Sequence, residues 1–269
     1  MDIFLIIGII SGLLAVVTGM VVKGANVGVL LNPEAAIIIF VGAIATIMNS
    51  YPKSEFLNIL KILGVLFVDK KKEDPCNTIK KITEMAQTAR KEGLLALEGT
   101  AEKLDNQFMK KGIGMVVDGN EQDYIREILD FEMENMEDRH RLGADIFATA
   151  GSTCPTLGVL GAVIGLIGEL GNLNDVAKLG EMIASAFVAT LYGIFMGYVI
   201  CHPFSKRLKR KSSEEVRNMN IMLEGILSIQ VGENPKVIES KLEGMLDPKD
   251  RLRYESARTK EKEKDSNHA

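Results

Sequence analysis

The spacing of charges divides the chain into two kinds of segment. Four runs hold no Asp, Glu, Lys or Arg: residues 3–22, 35–52, 146–168 and 182–205. Each is 18 to 24 residues long. With a helical rise of about 1.5 Å per residue, each can span or nearly span a hydrocarbon core of about 30 Å. Between and after them the apolar positions fall at helical spacing. Residues 75–101 place Ile79, Ile82, Met85, Ala86 and Ala89 on one face, and residues 121–142 do the same with Ile125, Ile128, Leu129 and Met136. Gly112, Gly114 and Gly119 punctuate a break between them, and the tail repeats the pattern through Ile221, Leu223, Ile226, Leu227 and Ile229 and then Ile238, Leu242 and Leu246. No alternating strand pattern bounded by turns occurs. The prediction is an all-α, polytopic membrane protein with four transmembrane helices and a helical cytoplasmic domain. Its organisation reads as spans one and two in 1–52, the cytoplasmic helical domain in 53–145, spans three and four in 146–205, C-terminal cytoplasmic helices in 206–250, and a disordered, charged tail in 251–269.

Bulk composition hides this division. The chain is 46% hydrophobic and 25% charged with a net charge of −4, figures an ordinary soluble domain would give, because they average two environments. The first run has no basic segment before it and no small-residue cleavage site, so it reads as a retained span. Cys76, Cys154 and Cys201 are odd in number and widely separated, which supports neither a disulfide framework nor a metal site. Bases interleaved with acids argue against a nucleic-acid partner. Nothing calls for a cofactor, and the helical insert is too small for an enzyme domain with its own cleft.

Basic residues set the orientation. Each short link, 23–34 and 169–181, holds one base, whereas Lys53, Lys61 and Lys70 to Lys72, then Arg139 and Arg141, then Lys206, Arg207, Lys209, Arg210 and Lys211 crowd the other flanks. Under the positive-inside rule both short links face out, and both termini lie in the cytoplasm.

Ionisable residues at membrane depth usually mark an ion path. These spans hold no carboxylate, and their single imidazole, His202, reads as an interfacial, solvated side chain. If protons or sodium move here, the titrating acid belongs to another chain. Gly158, Gly161, Gly165 and Gly168 recur along one face of span three, either packing against a neighbouring span or offering a groove to a partner helix. Pro155 kinks that span and frees the Gly151 carbonyl, near the hydroxyls of Ser152, Thr153 and Thr156. Span four answers with Ser185, Thr190 and Tyr192 and a small-residue stripe of Ala189, Gly193 and Gly197. Outside the membrane, Arg90, Lys91, Glu92 and Glu98 surround a glycine, as a solvated face or as a surface for a charged partner.

These residues carry a resemblance. RKEGLLALE, CPTLGVLGAVIGLI, LGEMIASAFVATLYGIFMGYVICHPFSKRLKRK and MLEGILSIQVGENPKVIESKL, in that order, resemble the MotA family of flagellar motor stator proteins. The resemblance implies a homopentamer around a dimer of a single-span MotB-like partner, which supplies the ion-binding aspartate and anchors to the cell wall. It also implies a cytoplasmic (inner) membrane location and torque on the rotor protein FliG. Carried over by motif, Arg90 and Glu98 would engage rotor charges, Pro155, Ala162, Thr190 and Pro203 would shape the ion pathway and its gating, and the four glycines would pack against the partner. Sodium-driven members usually carry a threonine where this chain has Ala162. Its missing oxygen disfavours a hard cation and implies protons. The alternative within the wider superfamily is an energiser of an envelope transporter resembling ExbB or TolQ, which usually has three spans.

Overall fold

The computed structural model describes residues 3–68, 73–169 and 176–268. The helices are α1 (Ile3–Val22), α2 (Pro33–Ser50), α3 (Lys53–Leu57), α4 (Ile59–Phe67), α5 (Pro75–Glu92), α6 (Glu98–Ala101), α7 (Gln107–Val117), α8 (Gln122–Glu169), α9 (Val176–Ile194), α10 (His202–Val231), α11 (Pro235–Glu243) and α12 (Pro248–His268). Among the described residues there is no strand. Four helical segments are long and apolar enough to cross a membrane, and each overlaps one of the four charge-free runs, the second stopping at Ser50 before Tyr51 and Pro52. Two compact units divide the chain: Met1–Lys70 with Arg139–Lys211, and Lys71–Asp138 with Ser212–Ala269.

The first unit contains the spans. Its large apolar side chains point outward, among them Phe4, Ile7, Leu13, Leu14, Ile37, Val41, Ile44 and Phe187, as a helix solvated by lipid requires. Asn32 starts α2: its Oδ1 accepts from the Ala35 N–H at 3.0 Å, while its Nδ2 donates to Ser185 Oγ at 2.6 Å. The Tyr192 hydroxyl donates to the Leu30 carbonyl, a second tie from α9 to the link between α1 and α2. Both polar ties hold the short link against span four, where Ala35 and Ile39 are buried.

Residues 53–67 and 139–145, the two ends of the segment read from sequence as the cytoplasmic helical domain, fall in this compact unit. The reason is apolar packing. α4 turns Ile59, Ile62, Leu63 and Leu66 toward a cluster made by Ala144, Phe147, Phe204 and Leu208. Phe204 stands edge-on to both Phe67 and Phe147 at 5.9 Å. Lys211 Nζ donates to the Val65 carbonyl at 2.9 Å, satisfying an orphan acceptor at the end of α4, and Lys209 pairs with Asp145 at 2.8 Å.

The second unit is a helical bundle around a side-chain core: Ile79, Ile82 and Met85 of α5, Met109 and Ile113 of α7, Ile125 and Leu129 of α8, Ile221, Met222 and Ile226 of α10, and Ile238 and Leu242 of α11. Asp74, Asn106 and Asn234 cap α5, α7 and α11 through their side chains. Of the three glycines expected to mark a break, only Gly119 ends a helix, with φ +76°. Gly112 and Gly114 lie inside α7, and Gly112 makes room for Ile226 of α10. Glu224 of α10 accepts from Arg126 of α8 and Lys241 of α11, both at 3.0 Å. Burial works against its charge, but these two cations hold the carboxyl below the usual range.

The tail from 251 is helical, contrary to the expected disorder. Tyr254 is buried in the bundle core, and its hydroxyl donates to Glu239 at 2.9 Å. Burial and that carboxylate push the phenol up, so it stays a donor. Arg258 pairs with Glu243 at 3.2 Å, and Arg253 with Asp74. These partners lie 15 or more residues away in sequence, where composition alone does not reveal them.

Candidate functional site

Two places carry the residues singled out from sequence. One is the seam between spans three and four. Pro155 sits inside α8, where its ring crowds the carbonyl four residues back, at Gly151. A Cβ on Gly197 would stand 2.6 Å from the Gly151 oxygen and 2.9 Å from the Pro155 ring, so span four lays bare backbone against the kink. Gly197 itself lies within seven π-helical residues, Phe195–Cys201, a widened helix form that often marks functional positions. Further along, a Cβ on Gly158 would meet the Ala189 carbonyl at 2.9 Å and Thr190 Cα at 3.1 Å, and one on Gly193 would run into the Cys154 carbonyl.

Three of the four stripe glycines pack within the chain. Gly158, Gly161 and Gly165 close on Ala189, Thr190, Gly193 and Ala186 of the same chain. Spacing fixes which face the glycines share, but not what occupies it. Gly168 has nothing within 4 Å.

The seam uses its own hydroxyls. Thr190 Oγ1 approaches the Gly158 carbonyl at 3.4 Å, long for a hydroxyl donor. Thr153 and Ser152 donate to the Thr149 carbonyl, both at 2.9 Å, and Thr156 donates to that of Thr153 at 2.7 Å. Pro155 and Ala162 are half-buried, while Pro203 is exposed at the start of α10. Ser152, Thr156, Val159 and Val163 form an exposed strip on span three, pointing away from the seam. Among the described residues no cluster of His, Cys, Asp or Glu could hold a metal ion.

The second place is a charged turn. α5 ends at Gly93, whose φ of +88° only glycine adopts without strain. The chain then makes a tight helical turn over Leu94–Leu97 and re-enters a helix at Glu98. Leu97 is buried beneath the turn, whereas Arg90 and Glu98 are exposed. Among the described residues neither charge has an ion-pair partner. The structure thus keeps both on one solvent-facing corner without spending them on the fold.

Sequence reasoning missed the π-helical segment, the Asn32–Ser185 tie and the close approach of His202 and Gly197 to Gly151. The approach at Gly151 could have been found by extending the glycine stripe one helical repeat back from Gly158.

The fold and these sites define a helical membrane protein with four helices long and apolar enough to span. Residues 6–93 match the family model "Motility protein A N-terminal", and residues 100–221 match that of the MotA/TolQ/ExbB proton channel family. Motility protein A of Bacillus subtilis (strain 168) is 48% identical over 254 residues, 94% of each chain. Chemotaxis protein PomA of Vibrio alginolyticus is 34% identical, covering 92% of this chain and 96% of its own. The structure of the flagellar MotAB stator complex from Bacillus subtilis superposes with a TM-score of 0.86 at 48% identity, over 92% of this chain and 98% of the other. The chain belongs to the motility protein A family of flagellar motor stator subunits.

Proposed function

We propose that the chain forms, with a MotB-like single-span partner, an ion channel in which inward proton flow turns a ring of this subunit against the rotor. The single observation that carries this is a seam of bare backbone with no acid of its own, backed on the other face of span three by the exposed, hydroxyl-bearing strip of Ser152 and Thr156. The partner's span would lie on that strip and bring the titrating aspartate beside Pro155. Thr190 would tie the two lining helices together, and Pro203, where span four passes into α10, would gate the transmission of movement. Ala162 would leave the path short of an oxygen for sodium. The family resemblance supports a homopentamer, and the distribution of bases supports cytoplasmic N- and C-termini. Arg90 and Glu98, exposed and unpaired, would engage charges on FliG.

The test is rotation in a strain whose own stator genes are deleted and replaced by this chain and its neighbouring single-span gene. Rotation that persists without sodium and stops on adding a protonophore supports the reading. Rotation that follows external sodium overturns the use of Ala162, and no rescue of motility overturns the whole.

A further inference from the structure

The ring of His202 has a seat shaped for it. It opens α10 directly after the π-helical segment and is half-buried. One side faces Tyr198, with ring centroids 5.4 Å apart. The other lies against Gly151 of span three, so closely that a Cβ there would stand 2.9 Å from both Cγ and Nδ1 and 3.0 Å from Cε1. Any side chain at 151 would make the imidazole shift. A solvated interfacial histidine would need no such vacancy in the facing helix. Gly151 is also the residue four before Pro155, so the ring sits beside the proline of span three, on the flank where Lys206, Arg207 and Lys209 follow.

We propose that His202 takes the proton from the channel and passes it to the cytoplasm. This rests on the proton-driven reading above. A proton leaving the partner's acid would bind the unprotonated ring nitrogen, giving an imidazolium. The opposite nitrogen would then release its proton to cytoplasmic water, so that one proton is passed on and the ring is neutral again. Imidazole suits this step because it accepts and donates in the neutral range. The titratable and charged groups on the surrounding elements are few. The adjoining π-helical segment offers Tyr198 and the buried Cys201, α8 offers the buried Cys154, and α10 offers Lys206 one turn on. α8 offers Asp145, paired with Lys209, and α4 offers Lys61. Tyr51 is bonded to Thr149, and the described residues of α1 carry no charge.

The experiment uses the assembled motor in tethered cells. The chain has three histidines, so replacing His140 and His268 by Gln leaves His202 as its only imidazole. Cytoplasmic pH is stepped with a permeant weak acid while the ion-motive force is held constant. The parent motor is expected to slow as the cytoplasm acidifies and more rings are already charged. His202→Gln is expected to turn at least threefold slower at neutral pH and to lose that acid response. Equal speed with an equal acid response in His202→Gln overturns the proposal. If His202→Gln is not recovered with its partner, diethyl pyrocarbonate replaces it, applied to inverted vesicles that hold this single-histidine chain with a partner whose histidines are replaced by Gln. Loss of acid-sensitive proton uptake supports the proposal, and unchanged uptake sinks it. A parent motor that runs on sodium instead would remove the functional reading itself, and this is seen before any variant is made.

Discussion

The two units solve opposite packing problems with the same residue type. Where spans three and four close most tightly, glycine meets backbone: Gly158 lies under the Ala189 carbonyl and Gly193 under that of Cys154. In the bundle glycine meets the ends of side chains: Gly112 faces Ile226 Cδ1 and Gly225 faces Ile82 Cδ1. Lipid tails are as apolar as leucine, so burying leucine gains little there, and close backbone approach supplies the attraction. In water the driving force is apolar burial, and the bundle accordingly centres on isoleucine, leucine and methionine. The lesson concerns tolerance. A side-chain tip can rotate away from an added methyl, whereas a helix backbone cannot move without its whole span.

The sharpest way to break the comparison is to add that methyl on both sides. Gly158→Ala puts a Cβ 2.9 Å from a carbonyl oxygen, so spans three and four must separate. Loss of assembly and complete loss of swimming are expected. Gly112→Ala puts one 2.5 Å from Ile226 Cδ1, which a rotamer change relieves, while the helix gains about 1 kcal/mol of propensity. Normal membrane levels and at most a modest loss of speed are expected. Gly168→Ala, with open space around it, is expected to leave motility untouched. Comparable defects in Gly158→Ala and Gly112→Ala, measured by co-purification with the partner and by swimming rate, would show that the two kinds of glycine do not differ.

A second comparison sets the charged corner against the seam. Arg90→Glu or Glu98→Lys touches no ion pair of the fold, so membrane level and partner recovery are expected to stay unchanged while rotation slows several-fold or stops. Reversing the facing charge on the rotor is expected to restore part of the speed. Seam variants are expected to lose assembly, which no rotor change restores. Full speed in both charge variants, read from tethered cells, would return the corner to the role of a solvated face.

How much of this was readable in advance follows the same division. The spans are legible because lipid excludes charge, and four uninterrupted runs leave little choice. The bundle helices are legible from Ile79, Ile82, Ile125 and Leu129, because water enforces periodicity. The seam is half legible: glycine spacing shows that something comes close, but not that Ala189 and Gly193 of the same chain are what meets Gly158. α4 was overlooked because its apolar face joins Phe147 and Phe204, residues about 90 and 145 positions further along the chain. The π-helical turns at Phe195–Cys201 follow no residue pattern that the sequence displays.

Tyr254 sharpens the bundle side. Truncation to Ala removes a buried ring and the bond to Glu239, which is expected to cost about 3 kcal/mol. α12 would be released, with a gain in amide exchange along residues 248–259 of the assembled protein. Tyr254→Phe, losing only the hydroxyl, is expected to cost about 1 kcal/mol. Unchanged exchange in the Ala variant would mean that the tail is held by its ion pairs, Arg253 to Asp74 and Arg258 to Glu243.

The smallest effect belongs to Glu224, and its sign follows from its partners. Its folded carboxyl is held below the value it has in an unfolded chain, about 4.3. Its stabilising contribution is therefore complete above that pH and is lost as pH falls through the lower, folded value. Because the group is partly solvated, that contribution amounts to about 1 kcal/mol. Amide exchange in α10 and α11 is thus expected to be faster in Glu224→Gln than in the parent at neutral pH. The two should converge under strong acid, with no change in the parent between pH 7 and 5. Added salt should narrow the neutral-pH difference, since screening weakens partly exposed pairs. The membrane seam contains no charge to screen, so salt should leave exchange around Gly158 and Gly193 unaltered. A seam that loosened with salt while the Arg126–Glu224–Lys241 triad did not would invert the assignment of electrostatic ties to the bundle and backbone contact to the spans.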